Sequence, residues 1–182
     1  MYTLEDIVVL LQQHTPSDGN EKEMVKETIR FVQTHPDCLL RTLYIGHLTA
    51  SAWITDESRN YVLLIHHHKL DKWFQLGGHA DGESDLRKAA LTEAREESGL
   101  HLFTFVSDTV FDVDTHLIPA RLHEPAHIHY DIRFLLEADK NEPLMRNHES
   151  KGLEWVAVEQ VAALNNSESI LRMLRKHERL FG

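Results

Sequence analysis

The sequence predicts an α/β protein of the α+β type that forms one domain over residues 1–182. Apolar residues recur at helical spacing in the first forty residues and again near the C-terminus. Between these regions, from Leu43, the spacing is that of strands, with candidate strands in LYIGHLTASAWI, YVLLIHHH and WFQL. A chain of 182 residues is long enough to bury a substantial core.

The composition excludes several classes of protein. Hydrophobic residues make up 42% and charged residues 26%, which is ordinary for a soluble globular protein. No apolar run approaches the roughly 18 residues of a membrane span, and MYTLEDIVVLLQQH lacks the basic start of a signal peptide. The net charge of −10 argues against binding to a nucleic acid duplex or an anionic membrane. A single cysteine, Cys38, excludes an intramolecular disulfide framework, so we expect a cytoplasmic protein.

Two helices are predicted in an N-terminal extension, residues 1–40. Thr3 and Asp6 have the spacing of a capping pair at the start of the first helix. The segment TPSDGN indicates a turn, and the second helix is expected to end at His35-Pro36, because the residue before a proline is disfavoured in a helix. We expect this pair of helices to pack on the main domain.

The segment GGHADGESDLRKAALTEAREESGL predicts a helix rich in glutamate. Asp81-Gly82 is a turn signal, Ser84 is the expected N-cap, and Gly99 is placed to end the helix as a C′ glycine. Further strands are predicted in HLFTFVSDTVFDVDTHLI, HIHYDIRFLLEA and LEWVAV. Two helices follow them, the second of which has Ser167 as its expected cap.

Three carboxylates, those of Glu93, Glu96 and Glu97, lie within five residues near the end of this helix. Because a helix advances about 100° per residue, they continue the apolar stripe of Leu86 and Ala89. Like charges at this spacing repel, by about 4 kcal/mol at about 4 Å and an effective dielectric near 20, and a helix C-terminus disfavours acids. A bound divalent cation would offset these costs, and oxygen ligands suit Mg²⁺ or Mn²⁺. The alternative is a surface helix with an acidic end.

This segment resembles a Nudix box, the family pattern G-x5-E-x7-REUxEExGU, in which U is a bulky aliphatic residue. With Gly78 in the first position, the match includes Glu93, Glu96, Glu97 and the pair Gly99-Leu100. The segments WFQLGGH and ESKGLEWVAVEQV also resemble parts of the family. The resemblance covers residues 43–164, the predicted core, and residues 165–182 are expected to form a C-terminal helix.

Two positions of the box depart from the family pattern. Ser84 replaces the first glutamate of the box, although Glu83 is adjacent, and Thr92 replaces the box arginine. In the family these two positions usually form a salt bridge, so both of its members are changed together.

The resemblance implies a Nudix fold, with a mixed β-sheet sandwiched between helices. It also implies hydrolysis of a nucleoside diphosphate linked to another moiety, with water attacking phosphorus. The metal ion, Mg²⁺ or Mn²⁺, would be held by Glu93, Glu96, Glu97 and the main-chain carbonyl of Gly78. The general base in this family is a box glutamate or a glutamate of a later loop, which makes Glu96, Glu97 and Glu149 the catalytic candidates.

A second polar cluster is predicted on one strand. His127, His129, Asp131 and Arg133 alternate along HIHYDIRF, so they share one strand face. This face is a candidate lining for the substrate cleft, in which Arg133 or Arg121 would bind phosphate. The alternatives are an ordinary solvent-facing strand and a structural zinc site at the HxH pair.

Other histidines and aromatic residues are open to two interpretations. His79 directly follows the two glycines that precede the metal helix, and it is a further substrate-binding candidate. The run of residues 66–68 is a triple histidine, which is more typical of a partly exposed strand end than of a metal site. Trp53, Trp73 and Phe74 would either stack on a base or lie in the core.

Two other functions compete with the hydrolase hypothesis. The first is a Nudix-fold sensor that binds a nucleotide-like ligand without hydrolysing it. The second is an isoprenoid diphosphate isomerase, which in the related family uses a catalytic cysteine, whereas Cys38 lies far from the box. The expected partner is a small-molecule nucleoside diphosphate derivative, and because Nudix relatives are often dimers, a homodimer is one of the alternatives.

Overall fold

The computed structural model describes residues 2–68, 70–121, 124–147 and 150–182. Helices lie at both ends of the chain and in its middle, and strands lie between them, so the predicted α+β class is confirmed. The elements are α1 (Leu4–Gln13), α2 (Gly19–Thr34), β1 (Gly46–Thr55), β2 (Tyr61–His67), β3 (Trp73–Phe74), β4 (Leu76–His79), α3 (Leu86–Ser98), β5 (Thr104–Phe105), β6 (Asp112–Ile118), β7 (His127–Glu137), β8 (Ser150–Ala157), a 3₁₀ turn (Val158–Gln160), α4 (Val161–Leu164) and α5 (Glu168–Phe181). Within the described ranges, no helix is both long enough and apolar enough to cross a membrane.

The chain divides into two compact units. The first unit comprises Met1–Ser51, Gly78–Ala90 and Thr109–Phe134, and the second comprises Ala52–Gly77, Leu91–Asp108 and Leu135–Gly182. The boundaries cut β1, β4, α3 and β7, so each of these elements contributes residues to both units. The organisation of residues 1–182 as one domain stays a prediction.

The two predicted N-terminal helices are present in the first unit. At the start of α1, the Asp6 carboxylate accepts the Thr3 N–H at 2.7 Å and the Thr3 hydroxyl accepts the Asp6 N–H at 3.3 Å, which is the predicted capping box. The Asp18 carboxylate caps α2, and this helix ends at Thr34, just before the predicted His35-Pro36 stop. Side-chain signals close in sequence therefore set both helix ends.

A buried carboxylate, that of Glu21, joins α2 to its surroundings in the first unit. Glu21 is 0% exposed, and its Oε1 accepts the Val113 N–H at 3.1 Å and lies 2.7 Å from His14 Nε2. Its Oε2 accepts the Ser17 N–H at 2.6 Å. The other ring nitrogen of His14 lies 3.0 Å from the Val110 carbonyl. Such a charge is tolerable inside the protein because donors surround both of its oxygens.

The beginning of α3 differs from the prediction. Asp85, not Ser84, caps this helix, because the Asp85 carboxylate accepts the N–H groups of Arg87 at 3.2 Å and Lys88 at 3.3 Å. The Ser84 hydroxyl instead donates to the Tyr2 carbonyl at 2.7 Å. The expected Ser84 cap is therefore wrong, because a contact with a distant part of the chain engages its hydroxyl.

α3 ends at the predicted glycine, whereas the predicted cap residue of α5 lies at the N-cap position without making a capping hydrogen bond. Gly99 has φ +73°, and a Cβ at this position would lie 2.4 Å from Met145 Cβ in the second unit. Both observations require glycine as the C′ residue. Ser167 is at the N-cap of α5, but its side chain makes no capping hydrogen bond.

In the first unit, β6 and β7 form an antiparallel pair in register from Asp112↔Arg133 to Ile118↔His127. β4 pairs with β1, and the Ala80 N–H continues this contact by donating to the Leu48 carbonyl at 3.4 Å. The pairing of β6 with β7 places alternate polar residues of the two strands side by side.

In the second unit, the contributing strands follow the order β3-β2-β1-β7-β5, with β8 also paired with β2. The β2–β8 pair is antiparallel from Tyr61↔Ala157 to His66↔Gly152, and its register shifts at His67. Behind these strands lies an apolar core whose buried members are Ala52, Ile54, Leu63, Ile65, Leu76, Ala94, Leu100, Leu136, Ala138 and Leu153. Trp53 is also fully buried, as expected for a core residue.

We predict that Glu21→Ala lowers the free energy of unfolding by roughly 3–5 kcal/mol, because it leaves buried donors without their acceptor. The change should appear as a lower midpoint of urea unfolding followed by circular dichroism. The matched control is Glu23→Ala, since Glu23 lies in the same helix but forms an exposed pair with Lys26 at 2.7 Å. The control should unfold at nearly the wild-type midpoint, and equal effects of the two substitutions would contradict this account of Glu21.

Candidate functional site

The glutamates of α3 differ in their exposure. Glu93 and Glu97 are half-buried, whereas Glu96 is exposed. On the same helix Leu86, Ala89, Ala90 and Ala94 are buried. The structure therefore turns Glu93 and Glu97 partly inward, beside the apolar stripe, and leaves Glu96 at the edge toward solvent.

The Gly-Gly segment contacts the end of α3 through one hydrogen bond in the second unit. The Gly77 N–H donates to Glu97 Oε2 at 2.9 Å. A charge-assisted bond of this kind fixes the orientation of the carboxylate. Gly78, the predicted carbonyl ligand, lies in β4 and is half-buried, and its role stays a prediction. Glu149, the predicted loop base, lies outside the described residues.

Two cationic side chains near the glutamates in sequence have other partners. The Arg95 guanidinium donates to the His101 carbonyl at 3.2 Å. Lys88 pairs with Glu83, whose carboxylate also accepts the Asp85 N–H at 3.0 Å. The pair with Lys88 holds the pKa of Glu83 below its ordinary value. Glu83 is therefore already paired at the position next to the missing box glutamate.

The polar face of β7 is buried, which corrects the interpretation as a solvent-facing strand. His127, Asp131 and Arg133 are 3%, 2% and 2% exposed, and His129 is half-buried. On the opposite face Tyr130, Ile132 and Phe134 are also buried. Alternation predicted correctly which residues share a face, but both faces of this strand are covered.

Arg133 is surrounded by three carboxylates in the first unit. Its guanidinium contacts Asp131 at 2.7 Å, Asp112 at 3.0 Å and Asp114 at 3.3 Å. Burial alone would lower the pKa of Arg133, but the three carboxylates outweigh burial and raise it above its ordinary value. The guanidinium is therefore engaged inside the protein, and the structure argues against the predicted contact of Arg133 with phosphate.

The aspartates of this cluster also receive hydroxyl donors. Asp131 Oδ1 accepts from Thr49 at 2.9 Å and from Ser51 at 2.8 Å. The cluster thus holds β1, β6 and β7 together within the first unit. Arg121, the other predicted phosphate ligand, is exposed. Its main-chain N–H donates to the Glu124 carbonyl at 2.7 Å.

A group of imidazoles lies next to this cluster on the same face of β7. The rings of His127 and His129 have centroids 4.9 Å and 4.8 Å from that of His47, which is in β1. The ring of His79 is 5.0 Å from His47 and 5.2 Å from His129. Sequence reasoning singled out His79, His127 and His129 but missed His47, which lies near the start of β1 and belongs to no recognised motif.

Three of these imidazoles have lowered pKa values. Burial, with smaller effects from Arg41 and His47, lowers the pKa of His79 to about 4. Burial and four neighbouring histidines lower the pKa of His129 to about 2. Burial also lowers the pKa of His47. At neutral pH these three rings are uncharged, which weakens the case for histidines as cationic phosphate ligands.

The remaining singled-out residues have ordinary surroundings in the second unit. His66 stacks on Trp73 with centroids 5.1 Å apart and lies 3.0 Å from Asp71. Trp73 and Phe74 are half-buried rather than core. In the first unit Cys38 is fully buried, and burial raises the pKa of its thiol to about 11.

Comparisons with known proteins agree with the fold. The model of the NUDIX domain family matches residues 46–176. Structurally similar proteins include the C. elegans Ap4A hydrolase in a binary complex (19% identity over 73% of this chain and 96% of that chain, TM-score 0.60). They also include the M. smegmatis Nudix hydrolase RenU (21% identity, 74% and 86% coverage, TM-score 0.56). A third is the E. coli dihydroneopterin triphosphate pyrophosphohydrolase (14% identity, 70% and 92% coverage, TM-score 0.55).

A comparison with curated proteins gave no match. At such low identities the structural likeness concerns the fold alone, whereas the family model matches more than half of the chain. The predicted Nudix fold is confirmed, and so is the enzyme class, a hydrolase that acts on phosphorus-containing anhydrides. This chain belongs to the Nudix family.

Proposed function

We propose that this chain is a metal-dependent hydrolase that cleaves the diphosphate linkage of a nucleoside diphosphate derivative by attack of water at phosphorus. The observation that carries the proposal is the pair of half-buried carboxylates, Glu93 and Glu97, in the box segment of α3. Membership of the Nudix family supplies the reaction class. The metal, the nucleoside and the roles of individual residues are our proposal.

The donor set on α3 fits Mg²⁺ or Mn²⁺. Three carboxylates crowd one end of the helix, and Lys88 and Arg95 are engaged with other groups. Carboxylate oxygens are the ligands that these hard cations prefer. When bound, the ion neutralises the diphosphate and lowers the pKa of a coordinated water.

Each glutamate has its own role in this proposal. Glu93, Glu96 and Glu97 would hold the ion, and the carbonyl of Gly78 stays the further ligand that the family resemblance implies. The Gly77 N–H supports this assignment, because its bond to Glu97 at 2.9 Å orients the carboxylate before any ligand binds.

The general base and the substrate contacts come from a small set of residues. Glu96 and Glu97 remain base candidates, together with Glu149 of the later loop. Glu96 is exposed, so its carboxylate is accessible to a water molecule. Arg121 is also exposed and is the remaining cationic candidate for phosphate, with His79 as a neutral hydrogen-bonding group.

The proposed substrate is a small molecule in which an anhydride joins phosphate groups attached to an organic moiety. Two structurally similar proteins are named for Ap4A and for dihydroneopterin triphosphate, and both names support this class. The net charge of −10 requires local cations where an anionic substrate binds, which also favours a metal-dependent reaction. We place the reaction in the cytoplasm and keep the homodimer as a prediction.

Two rival functions make different demands on the site. A non-catalytic sensor would bind nucleotides without turnover; the changed Ser84 and Thr92 positions favour it, whereas the retained glutamates of the box favour catalysis. An isomerase of the cysteine type would need a reactive thiol. The burial and raised pKa of Cys38 disfavour that role.

The proposed function predicts turnover that depends on a divalent cation. Incubation with dinucleoside polyphosphates, nucleotide sugars or ADP-ribose should release a phosphate-bearing product from at least one of them, in the presence of Mg²⁺ or Mn²⁺ and not of EDTA. Chromatography of the products would identify the cleaved bond. Tight binding of these compounds without any product would favour the sensor.

The second prediction concerns Glu97. Glu97→Gln should lower turnover at least about a hundredfold, because the amide keeps an acceptor for the Gly77 N–H but removes the negative charge that holds the ion. Steady-state rates across a series of Mg²⁺ concentrations would measure the change. The matched control is Glu57→Gln, at an exposed carboxylate in the turn between β1 and β2, which should leave the rates unchanged. Near-normal turnover of Glu97→Gln would refute the assigned role.

The third prediction concerns Cys38. In the folded protein its thiol should react with Ellman's reagent at pH 8 far more slowly than in urea, since it is buried and protonated at that pH. Cys38→Ala should retain the hydrolytic rate. A fast-reacting thiol in the folded protein, or loss of all activity in Cys38→Ala, would revive the isomerase alternative.

A further inference from the structure

We propose that His47, His127 and His129 form a second metal centre, one that binds a transition-metal ion of the Zn²⁺ type through imidazole nitrogens. Its ligands differ in kind from the carboxylates of α3, and the proposal does not depend on the hydrolytic reaction. Three observations support it: convergence of the rings, the tautomer of one ring, and the missing partners of another.

The ring nitrogens converge on a small volume within the first unit. One ring nitrogen from each of His47, His127 and His129 lies within 4.8 Å of the others. His127 Nε2 and His129 Nε2 are 3.1 Å apart, close to the distance of about 3.3 Å between two nitrogens that bind one tetrahedral Zn²⁺ at about 2.0–2.1 Å.

The hydrogen bond of His127 presents a lone pair to this volume. Its Nδ1 lies 2.9 Å from the Pro125 carbonyl, and a carbonyl only accepts, so the proton is on Nδ1. In the neutral ring, Nε2 then carries a lone pair, and it faces His129. A histidine whose second nitrogen donates to a carbonyl is the usual arrangement around a protein-bound metal, since it fixes the tautomer and the ring orientation.

His47 lacks the hydrogen bonds that a buried imidazole requires. It is 1% exposed, and neither ring nitrogen has a hydrogen-bond partner among the described residues. The Leu43 backbone opposes the effect of burial on the pKa of His47, but it makes no hydrogen bond of normal geometry. A buried polar group without a partner costs about 1–3 kcal/mol, and coordination to an ion would satisfy one nitrogen.

Neighbouring side chains supply further donor groups for a cation. Glu124 Oε1 lies 3.7 Å from His127 Nε2, which places a carboxylate within reach as a fourth ligand, with His79 as a further neighbouring imidazole. Imidazole ligands suit Zn²⁺ and its neighbours in the transition series rather than Mg²⁺.

The test is a metal titration of the full chain after dialysis against a chelator. The histidine centre should bind one Zn²⁺ per protein chain, and competition with a chromophoric chelator measures the affinity. Co²⁺ should develop the intense visible absorption of a four-coordinate site. His47→Ala and His129→Gln should each weaken Zn²⁺ binding at least about a hundredfold, because removal of a direct ligand costs more than loss of an outer partner.

Two controls separate this centre from other histidines and from the carboxylates. His101→Ala changes an exposed histidine and should bind Zn²⁺ as the wild type does. Glu97→Gln should also retain this Zn²⁺ affinity while losing turnover. Circular dichroism of the metal-free variants checks that each one folds, and if His47→Ala does not fold, His129→Gln provides the test. Unchanged Zn²⁺ binding in the folded histidine variants, or its loss in Glu97→Gln alone, would overturn the proposal.

Discussion

The partial burial of two carboxylates, Glu93 and Glu97, is the constraint on which the functional account depends. They lie near the C-terminal end of α3, where the helix dipole disfavours negative charge, and close enough in sequence to repel each other. The Gly77 N–H stabilises one oxygen of Glu97. A divalent cation bound between the two carboxylates would offset their mutual repulsion, and it would also supply what hydrolysis of a phosphorus anhydride requires.

Two charged groups of the interior follow a different rule, in which neighbouring residues of the protein satisfy them. Arg133 is balanced by three aspartates, and Glu21 is contacted by the loop before α2 and by β6. Breaking such a group costs far more than an exposed pair would. His47 departs from this rule, since it is as buried as the others but makes no hydrogen bond among the described residues. That departure is why the imidazole group is interpreted as a binding site.

The sequence predicted those features that depend on neighbours along the chain. Gly99 and the glutamate trio could be identified because a helix end and a box pattern are local. The cap of α3 was assigned to Ser84 instead of Asp85, because a contact with Tyr2, far away in sequence, decides which side chain is available. The burial of Arg133 and the role of His47 could not be predicted, since strand pairing, not spacing within one strand, brings their partners together.

The central claim is that the carboxylates of α3 hold a divalent cation, and direct binding of Mn²⁺ tests it without any knowledge of the substrate. Electron paramagnetic resonance of free Mn²⁺ during titration gives the number and affinity of sites. The account predicts that the wild type and His47→Ala remove Mn²⁺ from solution equally, whereas a variant carrying both Glu93→Gln and Glu97→Gln does so at least about a hundredfold more weakly. Equal Mn²⁺ binding by the folded double variant and the wild type would contradict the account.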